Sequence, residues 1–231
     1  MPRLDESLLT HLPPFDGLPR PEIRRILDAA TSRRFEIGTA VFHEGDPAER
    51  FFLLLDGYIR VVRTTEAGEH VTVLHIPPGQ LFGIARAIGR DRYPGMAVAA
   101  AECIVLCWPT PMWDEFVTRY PAFVMSTART VGTRLGEIQD RMRELATLQV
   151  EQRIATAVLR LIKQTGRKTD AGIEIDFPIT RQDLSEMTGT TLHTVSRLLS
   201  AWAREGVVES GHRRITVLDE ARLQDFAQPK G

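Results

Sequence analysis

The chain has 231 residues, 43% of them hydrophobic and 26% charged, which is enough apolar content for one large or two modest domains with filled cores. Its net charge of −1 gives no overall attraction to nucleic acid or membranes, so any basic surface must be local. Because no run of about 18 apolar residues is present and the segment MPRLDESLLTHLPPF lacks a signal pattern, we expect a cytoplasmic protein without a membrane partner.

The first half of the chain predicts a helix followed by short strands. RPEIRRILDAA, with a proline in its first turn, predicts a short amphipathic helix. From about Phe35 to Trp108, apolar runs are separated by five glycines: Gly38, Gly45, Gly57, Gly68 and Gly79. Strands at intervals of about 8–12 residues indicate an antiparallel sandwich or roll.

The two cysteines, Cys103 and Cys107, both lie in the segment AECIVLCW. On a strand they are about 13 Å apart, at about 3.3 Å per residue, and a disulfide needs α-carbons within about 7 Å. Two thiols also fall short of the cysteine set that holds an iron–sulfur cluster. We therefore interpret both as small buried strand residues.

After Pro121 the pattern becomes helical and predicts a dimerisation helix that ends near Leu148. Charged residues flank a narrow apolar seam, whereas a helix packed on its own domain usually has a broader stripe. The seam steps by four and three residues: Val124, Ala128, Val131, Leu135, Ile138, Met142 and Leu145.

The last third of the chain predicts a winged helix-turn-helix. A helical stretch, EQRIATAVLRLIKQT, ends at Gly166 and precedes the loop and strand GRKTDAGIEIDFP. Thr180 and Asp183 then form a capping-box-like start, and Gly189 suits the turn because positive φ is inexpensive for glycine. The segment EGVVESGHRRITVLDE predicts a strand, a Ser-Gly turn and a second strand, which together form a wing.

The second helix of this motif carries polar residues at its front end and predicts DNA recognition. Leu192, His193, Ser196 and Arg197 are expected to point outward into the major groove. Arg197 suits a bidentate contact to guanine, although an arginine on a helix is otherwise most often a solvated charge. Phosphate contacts are expected from Thr180, Arg181, Thr191, Thr194, Arg213 and Arg214.

With a roll, a long helix and a winged helix in this order, the chain resembles the CRP/FNR family of bacterial transcription regulators over almost its full length. GTAVFHEGD, LDGYIRV and PPGQLFG resemble the glycine-spaced strands of the family's cyclic-nucleotide-type β-roll, and LHTVSRLLSAW resembles its recognition helix. The resemblance implies an α+β fold and a cytoplasmic homodimer that binds double-stranded DNA and contacts RNA polymerase. It implies three parts: a β-roll (jelly-roll) sensor domain with short N-terminal helices at 1–120, the dimerisation helix at 121–148 and a winged helix-turn-helix DNA-binding domain at 149–231.

One departure from the family pattern predicts that cyclic AMP is not the effector. Members that bind it carry a glutamate for the ribose after the phenylalanine-glycine pair, and later an arginine for the phosphate. Here Ile84 takes the place of the glutamate, and the segment where the phosphate-binding arginine is expected reads YPGM. Isoleucine accepts no hydrogen bond, and a buried phosphate without a cation is costly. Three arginines lie nearby but not at the matching place: Arg86, Arg90 and Arg92. The pocket is expected to be lined by Phe82, Ile84, Tyr93 and Met96.

The segments FGIARAIGR with the YP that follows it, WP after the last strand, and TTLHTVSRLLSAW resemble the NnrR branch of the family, which responds to nitric oxide and controls denitrification genes. That branch implies haem as a sensor, and His11 is the first candidate for an axial ligand, with His43 and His75 as alternatives. A lone histidine is more often a surface residue, and no c-type attachment motif is present. The oxygen-sensing branch fits less well, because its N-terminal cysteine cluster is missing.

The recognition helix also predicts an operator. The oxygen-sensing branch has a glutamate three residues before its serine-arginine pair, where this chain has His193. A neutral imidazole offers one donor and one acceptor and can face a purine edge. Because Ser196 and Arg197 are retained, the resemblance implies an inverted repeat with TTG and CAA arms.

Two other functions remain open, and an enzyme is not expected. A roll filled by its own side chains favours an effector-independent, FixK-like regulator in a low-oxygen cascade. A regulatory subunit that uses the roll to control a partner enzyme has no need of a winged domain. No nucleophile in a recognisable setting, phosphate loop or metal-ligand spacing points to catalysis.

Overall fold

A computed structural model of the chain describes residues 5–66, 68 and 70–228. The chain divides into two compact units. The first runs to Arg63 and resumes at 74–136, and the second comprises 64–73 and the chain from Glu137 onward. None of the helices in these described ranges is long and apolar enough to cross a membrane. The α+β class is confirmed, whereas the three predicted domain boundaries remain predictions.

The first unit is built on two sheets, of order β1-β8-β3-β6 and β2-β7-β4-β5, whose characterised strand pairs are antiparallel. Its helices are α1 (Arg20–Asp28), α2 (Pro111–Arg119) and the first part of α3 (Pro121–Thr147), with 3₁₀ turns at Glu6–Leu8, Pro13–Phe15 and Ala85–Ile88. The strands of these two sheets are β1 (Thr31–Phe35), β2 (Ala40–Phe42), β3 (Arg50–Asp56), β4 (Ile59–Thr64), β5 (His70–Ile76), β6 (Leu81–Phe82), β7 (Met96–Ala99) and β8 (Cys103–Pro109). Residues 70–73 of β5 belong to the second unit. The predicted roll and the predicted helix near Pro121 are confirmed.

Strand β3 separates two hydrophobic clusters because its successive side chains point to opposite faces. Phe51 joins a cluster with Trp113, Phe116 and Phe123, where its ring meets theirs edge-on. Phe52, the next residue, joins the cluster inside the roll. We call these the helix-side cluster and the roll-interior cluster.

Strand β8 follows the same alternation and explains the cysteines. Trp108 lies in the helix-side cluster, and its indole N–H donates to the Ile26 carbonyl at 2.9 Å. Cys103 and Cys107 lie in the roll-interior cluster, fully buried and free. Burial raises the pKa of the Cys103 thiol, so its reactive thiolate is disfavoured. The interpretation as small buried strand residues is confirmed.

The second unit holds the end of α3 and the C-terminal elements. Its remaining helices are α4 (Val150–Thr165), α5 (Arg181–Thr188), α6 (Leu192–Arg204) and α7 (Glu220–Ala227). Its strands, β9 (Gly166–Lys168), β10 (Ile173–Ile175), β11 (Val208–Gly211) and β12 (Arg214–Val217), form an antiparallel sheet of order β11-β12-β10-β9.

Charged side chains hold the end of α3 against α4 in this unit. Arg160 on α4 makes a two-pronged contact with Glu144, at 2.7 and 3.4 Å, and Glu144 is 8% exposed. Arg141 donates to the carbonyl of Thr72, and burial lowers the pKa of its guanidinium to about 10, so it stays charged near neutrality. A paired buried charge is costly to break, which favours a fixed junction here.

Candidate nucleic-acid interface

Helix α5 begins with a complete capping box. The Thr180 hydroxyl accepts from the Asp183 N–H at 3.0 Å, and the Thr180 N–H donates to Asp183 Oδ2 at 2.7 Å. The same hydroxyl donates to Oδ2 at 2.6 Å. The predicted cap is confirmed. The phosphate contact assigned to Thr180 remains a prediction, and it requires a hydroxyl that the cap already uses.

The turn and the start of the next helix follow the predicted pattern. Gly189 has φ of +59°, and Ser185, 5% exposed, lies on the buried side of α5. Thr191 caps α6 by accepting from the Thr194 N–H at 3.2 Å, and the two hydroxyls are 2.9 Å apart. Both threonines therefore hold the front end of the helix in place.

Helix α6 buries one stripe and exposes its front end. The buried stripe comprises Val195, Leu198, Leu199 and Trp202, the last stacked on Phe226 with ring centroids 5.4 Å apart. Leu192 is 46% exposed, His193 and Arg197 are exposed, and Ser196 is half-buried. In the part of the chain that the structure describes, neither His193 nor Arg197 has a hydrogen-bond or ion-pair partner. Their polar groups are available to a ligand.

The wing is present, but the predicted Ser-Gly turn is wrong. Ser210 and Gly211 belong to β11, and Gly211 pairs with Arg214, so His212 and Arg213 form the turn. Arg213 has φ of +57°, which is uncommon for a residue with a side chain. The shift places the Arg213 side chain, which is exposed, at the tip of the wing.

The wing is tied to the start of α5. The Ile179 N–H donates to the Arg213 carbonyl at 3.1 Å, and Arg181 Nη2 donates to Ser210 Oγ at 3.1 Å. Arg214 lies 3.5 Å from exposed Glu209 and 3.8 Å from Glu174, which is 18% exposed, and at these distances both pairs are weak. Arg181 therefore contacts the wing through Ser210, whereas Arg214 contacts Glu209, whose side chain lies on the opposite face of β11.

The exposed apolar face of α3 overlaps with the predicted seam. Met142 is 66% exposed and Leu135 55%, and Ala128, Ile138 and Leu145 are exposed as well. Val124 is half-buried, and Val131 packs against the helix-side cluster of its own unit. Met125, 63% exposed, was missed by the sequence analysis, although it precedes Ala128 by one helical step of three.

The predicted effector residues Phe82, Tyr93 and Ile84 are divided between the two hydrophobic clusters. Phe82 and Tyr93 lie in the roll-interior cluster, Met96 is half-buried on β7, and Ile84 packs in the helix-side cluster instead. Ile84 turns away because it precedes the 3₁₀ turn at Ala85–Ile88 with φ of −84° and ψ of 45°. The effector pocket assigned to these residues remains a prediction.

Aromatic rings stack on one another inside the roll. Phe42 stacks on Tyr93 with centroids 3.8 Å apart, and Phe52 on Phe82 at 5.0 Å. The Tyr93 hydroxyl donates to the Arg50 carbonyl at 2.7 Å. Burial raises the pKa of Tyr93 to about 12, so the hydroxyl keeps its proton and this hydrogen bond over the physiological range.

The predicted haem ligand His11 and its two alternatives, His43 and His75, differ in exposure. His11 and His43 are exposed, and His75 is half-buried on β5. An axial ligand must reach a porphyrin whose apolar faces are buried, and aromatic side chains already occupy the roll interior. Within the described ranges, no group of three or more His, Cys, Asp or Glu side chains is placed to hold a metal ion. The assignment of His11 as a haem ligand therefore remains a prediction.

Gly189 provides a test of how the turn is packed. A β-carbon added there lies 3.2 Å from Leu145 Cδ2, whereas one added at Gly206, φ +70°, meets nothing within 4 Å. We expect Gly189→Ala and Gly206→Ala each to lower the free energy of unfolding by about 1–2 kcal/mol, because both residues have left-handed backbones. Only Gly189→Ala should also weaken DNA binding, measured by gel shift beside urea unfolding. Equal DNA affinities for the two variants contradict this role of the turn.

Two family models match the chain. The cyclic nucleotide-binding domain model matches residues 32–120, and the Crp-like helix-turn-helix domain model matches residues 152–226. The first range covers the strands of the roll, and the second covers α5, α6 and the wing. The chain thus combines a cyclic-nucleotide-binding-type domain with a Crp-like DNA-binding domain.

Relatives with known names support a family assignment. The chain is 29% identical over 215 residues to the cyclic AMP receptor protein of Thermus thermophilus, with 93% of this chain and 96% of the relative covered. It is 26% identical over 211 residues to the nitrogen fixation regulation protein FixK of Bradyrhizobium diazoefficiens, with 87% of each covered. FixK2 from Bradyrhizobium japonicum has the same fold, with a TM-score of 0.74 at 22% identity over 87% of this chain and 99% of that one. The chain is therefore similar, over most of its length, to DNA-binding transcriptional regulators of the CRP/FNR family.

Proposed function

We propose that this regulator binds, as a homodimer, an inverted repeat with TTG and CAA arms, and that each α6 reads one arm in the major groove. The observation that carries the proposal is the front end of α6, where exposed Arg197 and His193 have no partner in the described part of the chain. Their backbone is fixed by the Thr191 cap and by the buried stripe of α6. A rigid element that presents free donors suits base recognition.

Each polar residue has a proposed role. Arg197 donates two hydrogen bonds to guanine O6 and N7, and Ser196 contacts an adjacent base edge. Phosphate contacts that fix the register come from Thr191, Thr194 and the arginines near the wing. Because phosphate contacts release counterions, affinity should fall steeply as salt rises.

The exposed face of α3 supports the dimer. Leu135 and Met142 are apolar, more than half exposed and one heptad apart, as expected for a seam that meets a twin helix. A two-fold axis along α3 relates the two recognition helices. Two half-sites one helical turn apart require those helices to be about 34 Å apart.

Gel-shift titration tests the proposal against the alternative of a regulatory subunit for a partner enzyme. The probe is a duplex carrying the TTG/CAA inverted repeat, and the control duplex has the same composition in scrambled order. Preference for the repeat, weakened by salt, is expected. Equal affinity for both duplexes at low salt excludes the proposal.

Replacing His193 with glutamate is expected to change which inner base pair is preferred. A carboxylate accepts from the cytosine amino group, whereas neutral imidazole faces a purine edge. One such pair contributes about 1–3 kcal/mol, which is roughly fivefold or more in relative affinity. Selection from a library randomised at the inner positions measures the shift. His212→Glu, on the wing turn, is the matched control, and identical profiles for His193→Glu and the parent refute the role.

We further propose that the regulated genes belong to denitrification or the response to nitric oxide, with RNA polymerase as the partner at the promoter. The support is the resemblance of FGIARAIGR, WP and TTLHTVSRLLSAW to the NnrR branch. No step of this proposal uses haem. Promoter–reporter fusions measured in the parent strain and a deletion strain, with and without a nitric oxide donor, test it. Equal reporter output in the two strains contradicts it.

We propose that cyclic AMP is not the effector, because the ribose position carries Ile84, whose side chain packs away from the roll interior. Any other effector must bind the DNA-competent dimer better than the incompetent one, since tight binding alone shifts no equilibrium. Adding cyclic AMP to the gel shift should leave the affinity for the repeat unchanged.

A second candidate is an effector-independent regulator of the FixK type. The stack of Phe42 on Tyr93, 3.8 Å apart, favours it because these rings occupy space that a ligand needs. This candidate predicts full affinity for the inverted repeat from protein purified without small molecules. Binding that appears only after a cell extract is added contradicts it.

A further inference from the structure

The guanidinium of Arg153 lies where three segments of the second unit meet. Its Nε donates to the Thr188 carbonyl at 2.9 Å, and its Nη1 donates to the Leu148 carbonyl at 3.0 Å. Its Nη2 reaches the Gly189 carbonyl at 3.4 Å. One planar group on α4 thereby joins the residue after α3 to the end of α5 and to the turn before the recognition helix.

Arginine suits this place for two physical reasons. The carbonyls of Leu148 and Thr188 lie at the C-terminal ends of α3 and α5, where the helix dipole is negative and a cation is favourable. The guanidinium also holds several donors in one plane with fixed directions, whereas an ammonium is a point charge on a flexible stem. Arginine therefore fixes directions as well as distances.

The backbone that carries Arg153 is itself anchored. The Gln149 N–H donates to Gln152 Oε1 at 2.8 Å, and Gln152 Nε2 donates to the Gln228 carbonyl at 2.7 Å. On the far side, Leu145 at the end of α3 comes close to Gly189. Helix α6 begins just beyond that turn, so its direction follows from these contacts.

We propose that Arg153 is a positioning residue that sets the direction of α6 relative to α3, and so selects the separation of the two operator arms. The inference rests on the proposed dimer on an inverted repeat. When the two-fold axis follows α3, a small change in the direction of α6 moves both recognition helices, by symmetry. Both arms can then be contacted together at one separation only.

Fluorescence anisotropy on a series of duplexes tests the proposal with the full-length protein. The TTG and CAA arms are moved closer or further apart in single base-pair steps, and one duplex carries a single arm. Wild type should favour one separation. Two variants are compared with wild type: Arg153→Lys, which keeps the charge, and Arg153→Gln. In each, the ratio of the affinity at the preferred separation to the affinity at neighbouring separations should fall by about tenfold, as expected for one lost charge-assisted hydrogen bond. Their affinity for the single arm should stay at the wild-type value.

The control is Arg204→Lys, because Arg204 Nε also donates to a backbone carbonyl, that of Ser200 in its own helix, at 3.3 Å. It should keep the wild-type ratio. Arg153 variants that keep the wild-type ratio of affinities overturn the inference. An equal loss of affinity on every duplex, including the single arm, also overturns it, because it indicates a merely structural role. If wild type binds the paired arms and the single arm with equal affinity, the proposed dimer is wrong. This result can be distinguished from both outcomes for the Arg153 variants.

Discussion

Replacing Arg197 with alanine is expected to weaken binding to the TTG/CAA inverted repeat by at least about 30-fold. One bidentate contact to guanine contributes about 1–3 kcal/mol, and a dimer loses two of them, so the smallest expected loss is about 2 kcal/mol. The stability of the folded protein should not change, because the Arg197 side chain is exposed and has no partner in the described ranges. Anisotropy titration on the operator and on a scrambled duplex measures the change.

The scrambled duplex and Arg204→Ala separate base reading from general attraction. Arg204 is exposed at the other end of α6, so its loss removes the same charge from the same helix. We expect Arg204→Ala to bind the operator like wild type, and Arg197→Ala to bind the scrambled duplex nearly as well as wild type. If the affinity of Arg197→Ala falls equally on both duplexes, Arg197 contacts phosphate and is not one of the base-specific contacts.

Much of this interface could be predicted because local chemistry determines it. The Thr180–Asp183 capping box, the positive φ of Gly189 and the Thr191 cap follow from residue types at fixed spacing. The wing turn could not be predicted in this way. Turn propensity favours Ser210-Gly211, but the pairing of Gly211 with Arg214 places Arg213 in a left-handed conformation, and the Ile179 contact to its carbonyl stabilises it there.

The roll shows a second limit of sequence reasoning. The glycine-spaced apolar runs predicted the strands, but the side to which Ile84 turns depends on a 3₁₀ turn that no periodic pattern marks. The stack of Phe42 on Tyr93 joins residues about fifty positions apart in the chain, and only the folded sheets bring them together. Non-local pairings of this kind determine whether the roll has room for a ligand.

The heptad pattern of α3 predicted an apolar seam but could not assign its two edges. A helix that packs on its own unit along one edge and on a partner along the other needs apolar residues on both. Val131 serves the first contact, since it packs on the helix-side cluster, and Met125 extends the exposed face. Leu135 lies near the middle of that face and is the residue whose replacement should affect the dimer most.

Replacing Leu135 with glutamate is expected to convert the dimer to monomers at micromolar concentration. The proposed dimer loses the burial of two leucine side chains that are 55% exposed in the protomer, at about 0.8–1.6 kcal/mol each. It also brings two carboxylates together at the two-fold axis, which adds a like-charge penalty. The dissociation constant should rise by at least about 100-fold. Light scattering after size-exclusion chromatography measures the mass, and operator affinity should fall with it, because one recognition helix contacts one arm.

Thr133→Glu is the matched control. Thr133 is exposed on the same helix and precedes Leu135 by two residues, so it lies about 200° around the helix from Leu135. It adds the same charge away from the apolar face and should leave both mass and operator binding unchanged. Leu135 is already 55% exposed in the protomer, so its replacement should not destabilise the folded monomer. The unfolding midpoint of Leu135→Glu should therefore stay close to the midpoint of Thr133→Glu extrapolated to low protein concentration. A Leu135→Glu protein that remains dimeric and binds the paired arms shows that the two copies meet through another surface, and the role proposed for α3 must then be given up.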